Sequence, residues 1–92
     1  MCKVMLIEFD FSKNLTSDCY QKKIVEKILP LDISILINGT SVMQCGDFGS
    51  VPIDTHKTML DINIMPCTIL TKLLMDKLLH REKRSAVVFF SS

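Results

Sequence analysis

Asp61-Ile62-Asn63-Ile64-Met65-Pro66 sits in the middle of the longest helical pattern in the chain and interrupts it. Pro66 has no N–H to give the carbonyl of Ile62, and its ring crowds the preceding turn. A kink of this kind frees backbone oxygen to bond something else. Asn63 stands beside that carbonyl, and a helix interior disfavours asparagine because its side chain competes for backbone hydrogen bonds. Taken alone, the stretch reads first as a tolerated kink in a surface helix. The alternative is a position kept for a site.

Outward from the kink, Asp54 or Thr55 is placed to cap a helix running to about Arg81. Met59, Ile62, Ile69, Leu70, Leu73, Leu74, Leu78 and Leu79 give it an apolar face wider than one sheet contact needs, which predicts a partner as well as a sheet beneath it. Ser85–Phe90 (SAVVFF) and Ile33–Ile37 (ISILI) are continuous apolar runs, the pattern of parallel strands covered on both faces. Lys3–Phe9 (KVMLIEF) reads as a third, buried strand ending at Asp10. Between it and Ile33 lies a helix capped by Thr16 or Ser17, with Tyr20, Ile24 and Ile28 as its stripe, Val25 and Leu29 widening it, and Pro30 as its stop. Gly39–Ile53 is a long loop. The predicted order is β-α-β-α-β, one α/β domain over residues 1–92 with a mostly parallel sheet.

Composition narrows the function classes. The 92 residues are 48% hydrophobic with a formal net charge of +1, so the chain is a packed one with no strong field toward nucleic acid. Cys2, Cys19, Cys45 and Cys67 form no C-x-x-C pair and lie away from His56 and His80, so no metal site is expected and the thiols read as reduced, in an intracellular protein. No uncharged run reaches the roughly 18 residues of a membrane span, and the N-terminus is not a signal peptide. Asp after a strand is most often a turn residue, and His56 and His80 read as surface residues.

In order and spacing, five stretches resemble the middle of a classical short-chain dehydrogenase/reductase, with the steroid dehydrogenase and very-long-chain 3-oxoacyl-CoA reductase branch as the nearest. They are Ile7-Glu-Phe-Asp-Phe11, Asp32–Asn38, Asp61–Pro66, Ile69–Leu74 and Ser85–Ser92. The resemblance implies a partial Rossmann-like fragment, from the family's third strand to its catalytic serine. It implies cofactor contacts for Asp10 (adenine), Asn38 and its neighbour Gly39, and catalytic roles for Asn63 and Ser92, with Ser91 as the off-by-one alternative. The implied cofactor is NADP or NAD, and the implied substrate a fatty acyl-CoA or steroid carbonyl or hydroxyl. Endoplasmic reticulum membrane association is implied by that branch, and a cytoplasmic site otherwise. The family expects Asn-Ala-Gly after the first Asn, where this chain has Gly39-Thr40-Ser41. The glycine-rich turn and the Tyr-x-x-x-Lys pair are absent: Tyr20 is the only tyrosine, and Ile24 follows it by four. Without that pair no side chain protonates the alkoxide, so this chain alone is expected to be inactive.

Two other readings stand beside this one. The first is a non-catalytic interaction module, or homo-oligomer, built on the apolar face of helix 55–81. The second is a free-standing βαβ nucleotide binder. Because the family's third and fourth strands are not neighbours, Ile33–Asn38 is expected to pair with Ala86–Phe90. Lys3–Phe9 is expected either to close onto Ile33–Asn38 or to stay unpaired.

Overall fold

The computed structural model describes residues 2–13 and 15–91. Two four-residue strands, β1 (Ile35–Asn38) and β2 (Ala86–Phe89), pair in parallel. The register sets Ile35 opposite Ala86 and Asn38 opposite Phe89, which is the pairing the two apolar runs predicted. Parallel pairing brings both carboxyl ends to one edge of the molecule.

Between the strands run α3 (Ile53–Asn63) and α4 (Met65–Leu79). The expected single helix is broken at Ile64, whose φ of −115° lies outside the helical well. Pro66 then occupies the first turn of α4, where its missing N–H is harmless. The start also differs from expectation. Ile53, not a residue after Asp54 or Thr55, opens α3, and the carbonyl of Pro52 accepts from the N–H groups of Thr55 and His56. At the far end the His80 ring nitrogen Nδ1 lies 2.7 Å from the carbonyl oxygen of Asp76 and closes α4. Together α3 and α4 span 27 residues with a window of mean hydropathy 1.2, long and apolar enough to cross a membrane by length and composition alone. That match admits two charges, which the uncharged-run criterion does not.

The first helical segment is α1 (Ser17–Tyr20), a π-helical turn (Gln21–Val25) and α2 (Glu26–Ile28) in continuous succession. Thr16 holds the N-cap position, although its side chain makes no capping bond. The π turn re-aims the predicted stripe. Five residues of α-helix would set Tyr20 and Val25 about 140° apart. The wider i→i+5 turn carries both to the buried side, with Tyr20 only 2% exposed, while Ile24 and Ile28 are half-buried and Leu29 is exposed.

Val25, Leu74 and Leu78 form the core, with Leu36 and Val87 packed on it from the sheet. All described helices that touch the sheet therefore cover one face. The expectation of strands covered on both faces fails on the other side, where Ile35 and Ile37 are exposed, Ile37 at 59%. Lys3–Phe9 is not the buried strand its composition suggests. It has no ladder partner among the described residues, and Leu6 is 91% exposed. An apolar run becomes a strand only where another strand offers its N–H and C=O groups, and β1 and β2 offer theirs to each other. This is the second of the two outcomes expected for that run. Phe9 at its end and Phe11 just beyond pack as tilted rings against Tyr20, with centroids 4.9 and 6.0 Å away.

At the amino ends of the strands three side chains tie the layers together. Arg81 donates Nε and an Nη to the two carboxylate oxygens of Asp32, at 2.8 and 3.1 Å, and another Nη to the carbonyl of Arg84. Lys77 donates to the carbonyl of Leu29 at 2.6 Å, where Pro30 ends the first helix. Ser85 Oγ donates to the carbonyl of Leu78. These bonds leave the opposite, carboxyl edge open.

Candidate functional site

A cleft of about 260 Å³ opens at the carboxyl ends of β1 and β2, against the junction of α3 and α4. This is where open α/β sheets place their ligands. Asn38, the last residue of β1, reaches it with its carbonyl bonded by the Phe90 N–H at 3.0 Å. Its side-chain Nδ2 donates to Thr71 Oγ1 on α4 at 3.3 Å, which sets the amide between strand and helix. Gly39 follows. A Cβ built there meets only Phe90 Cδ2, at an ordinary 3.7 Å, so the space does not require glycine.

Asn63 closes the other side. The break at Ile64 frees its side chain from the helix, and the amide pairs with the backbone of Val42 like an added strand residue. Oδ1 accepts from the Val42 N–H and Nδ2 donates to the Val42 carbonyl, each at 2.8 Å. Past the break, the carbonyl of Ile64 accepts from the Thr68 N–H and hydroxyl and from the Cys67 thiol. The Asn63 carbonyl has the Cys67 sulfur 3.9 Å away. The loop from Gly39 to Pro52 is pinned a second time by His56. Its Nε2 lies 3.1 Å from the Phe48 carbonyl oxygen, and its ring stacks on Phe48 at 4.4 Å.

Asn38, Gly39 and Asn63, three residues singled out from the sequence, thus line one cleft. Asp10 does not join them. It lines a separate hollow with Glu8, Lys13 and Lys23. Its Oδ1 accepts from the Ser12 N–H at 2.9 Å and the Ser12 hydroxyl at 2.6 Å, and these bonds hold the carboxyl below its ordinary value. Ser92 lies outside the described residues, and Ser91, the off-by-one alternative, is exposed just after Phe90. Sequence reading missed Thr71, Val42 and the His56–Phe48 contact. Thr71 carried no readable signal, because its partner Asn38 lies 33 residues away on β1. Val42 carried none, because its part is played by its backbone.

The cleft is neutral. Among the described residues lining it there is no Lys, Arg, Asp, Glu or His, and Phe11, Phe89 and Phe90 supply much of its wall. Among the described residues no group of His, Cys, Asp or Glu could hold a metal ion. A nicotinamide dinucleotide fits these residues only in part. Its pyrophosphate needs a glycine turn whose N–H groups stay free at a helix start. Here the Ser50 and Val51 N–H groups are turned onto the Asp47 carbonyl, and those of Thr55 and His56 onto Pro52. None of these four N–H groups is free to cradle a pyrophosphate.

No curated protein and no solved structure matches the chain. A family model does, the short chain dehydrogenase model, over residues 2–92. The family is one of oxidoreductases that bind NAD or NADP. With β1 and β2 parallel, their ends open on a cleft, and an asparagine at the helix break facing it, the chain belongs to the short chain dehydrogenase family.

Proposed function

We propose that the chain is a segment of an NADP(H)-dependent short-chain oxidoreductase acting on a fatty acyl-CoA or steroid carbonyl or hydroxyl, and that these 92 residues alone do not turn substrate over. The observation that carries the reading is Asn63, which stands at the α3–α4 break and lines one cleft with Asn38. In this reading Asn63 holds the loop and the break, Asn38 lies beside the nucleoside, and Ser92 meets the substrate carbonyl. Inactivity follows from the missing Tyr-x-x-x-Lys pair, which leaves no lysine-activated phenol to protonate the alkoxide. The branch resemblance supports association with the endoplasmic reticulum membrane.

Two measurements test it. Purified chain with NADPH and a 3-oxoacyl-CoA or a ketosteroid should leave the 340 nm absorbance unchanged, and turnover would overturn the claim of inactivity. The native product, detected with an antibody to helix 54–84, should be several times heavier than 10.5 kDa. A product of that mass would remove the oxidoreductase reading in favour of an interaction module. The exposed Leu60, Ile64, Met65 and Leu79 on α3 and α4 favour that second reading, in which a second copy covers helix 55–81.

A further inference from the structure

We propose that Lys3–Phe9 of one copy of this chain adds as a parallel strand to the outer edge of β1 in a second copy. The family's sheet contains no such contact, because its third and fourth strands are not neighbours. The backbone shows which groups receive the added strand. The carbonyls of Ser34 and Asn38 accept from the N–H groups of Ala86 and Phe90. In a parallel ladder the N–H and C=O of one residue point to the same side, and the side alternates along the strand. Ser34, Leu36 and Asn38 therefore face β2, while Ile35 and Ile37 turn their N–H and C=O groups away from it. Among the described residues no backbone bond reaches those four groups, and no strand borders them.

The same molecule holds a strand that fits them. Lys3–Phe9 has strand-forming composition without glycine or proline, and Val4, Met5 and Leu6 are exposed. An open edge and an extended apolar run join by strand addition. The run is as long as Asp32–Asn38, which comprises β1 and its approach. Charge selects the edge and the direction. A parallel run with Lys3 beside Asp32, whose side chain is 76% exposed, brings opposite charges together. The same direction along β2 would set Lys3 against Lys83 and Arg84. The seat of the run selects a second copy over its own sheet. Phe9 and Phe11 rest on Tyr20, which is buried in the helical layer, so the run leaves the body from that layer and not from the sheet. Each copy gives one run and takes one. The contact continues from copy to copy unless two copies exchange their runs.

Amide hydrogen exchange on the 92-residue chain, dilute and concentrated, tests this residue by residue. Leu36 and Asn38 amides face β2 and should be protected at both concentrations. Ile35 and Ile37 amides should exchange fast in the dilute chain and slow by about tenfold in the concentrated one. With Lys3 beside Asp32, the Met5 N–H faces β1. Met5→Pro removes that donor from an exposed residue, so it should abolish the slowing and leave the melting temperature of the dilute chain unchanged. Ile35 and Ile37 amides that exchange equally fast at both concentrations would overturn the proposal, and association through α3 and α4 alone would give that result. Protection that is lost in Met5→Pro but does not depend on concentration would overturn the second copy in favour of the chain's own run. Slowing at Val87 and Phe89 instead would overturn the choice of edge.

Discussion

Asn63 makes two 2.8 Å bonds to one residue 21 positions away. Asn63→Leu should cost about 1–2 kcal/mol in denaturant unfolding, because two neutral hydrogen bonds are lost at an exposed position. The Val42 amide should exchange faster in the variant; unchanged exchange would mean that the loop is held elsewhere. The sequence showed the oddity of an asparagine beside a proline, but not its partner, since backbone groups leave no trace in residue identity. Tyr20 allows a cleaner test. Burial first, and then the charge of Asp61, raise its phenol above the ordinary 10.0. As the chain's only tyrosine, it can be followed alone by phenolate absorbance. The midpoint should lie above 10 in the folded chain and return to about 10 in denaturant. A raised pKa stabilises the fold fully below the unfolded value, and that contribution is lost as pH rises through the folded one. Asp32 works with the opposite sign. Its hydrogen bonds from Arg81 lower it below 3.8, so its contribution is present above that value and lost on further acidification. Asp32→Asn should flatten the acid limb of a stability–pH profile and leave the alkaline limb unchanged.

Elements were legible wherever local pattern and tertiary demand agreed. Two fully apolar runs flanked by helical patterns predicted β1 and β2 and their pairing, because parallel strands with a helical crossover have few alternatives. Pro66 predicted the interruption, which falls two residues earlier, at Ile64, because a proline disturbs the turn before it. Pro66→Ala returns an N–H to face the Ile62 carbonyl. We expect α3 and α4 to join, helical ellipticity to rise, and Val42 exchange to accelerate as Asn63 turns away; protected Val42 in a straightened helix would separate the latch from the break. The π turn was not legible, since Tyr20 and Val25 share a face only if the period changes locally, and the pattern was read at 3.6 residues per turn. The Lys3–Phe9 run failed for a different reason. Its composition is that of a strand, but strand formation depends on a neighbour that composition does not report.

At the scale of the molecule, the radius of gyration of 15.3 Å exceeds the roughly 12 Å expected of a compact chain of this length. Among the described residues six apolar side chains are buried, Tyr20, Val25, Ile62, Pro66, Leu74 and Leu78, while two apolar surfaces stay open. One is the outer sheet face with Ile35 and Ile37. The other is the α3–α4 face, where Leu79 is 68% exposed. The two make different partners. A sheet face flanked by free strand edges invites open-ended pairing, whereas a helix face closes into a pair of defined size. Sedimentation equilibrium of matched variants separates them. If a second copy covers the helix face, Leu60→Glu with Leu79→Glu should convert that dimer to the 10.5 kDa monomer. Ile35→Thr with Ile37→Thr should reduce large aggregates and leave the dimer intact, since threonine keeps strand propensity while lowering apolar area. If only the sheet variant changes the distribution, association runs through strand edges, and the helix face is left for another partner to cover.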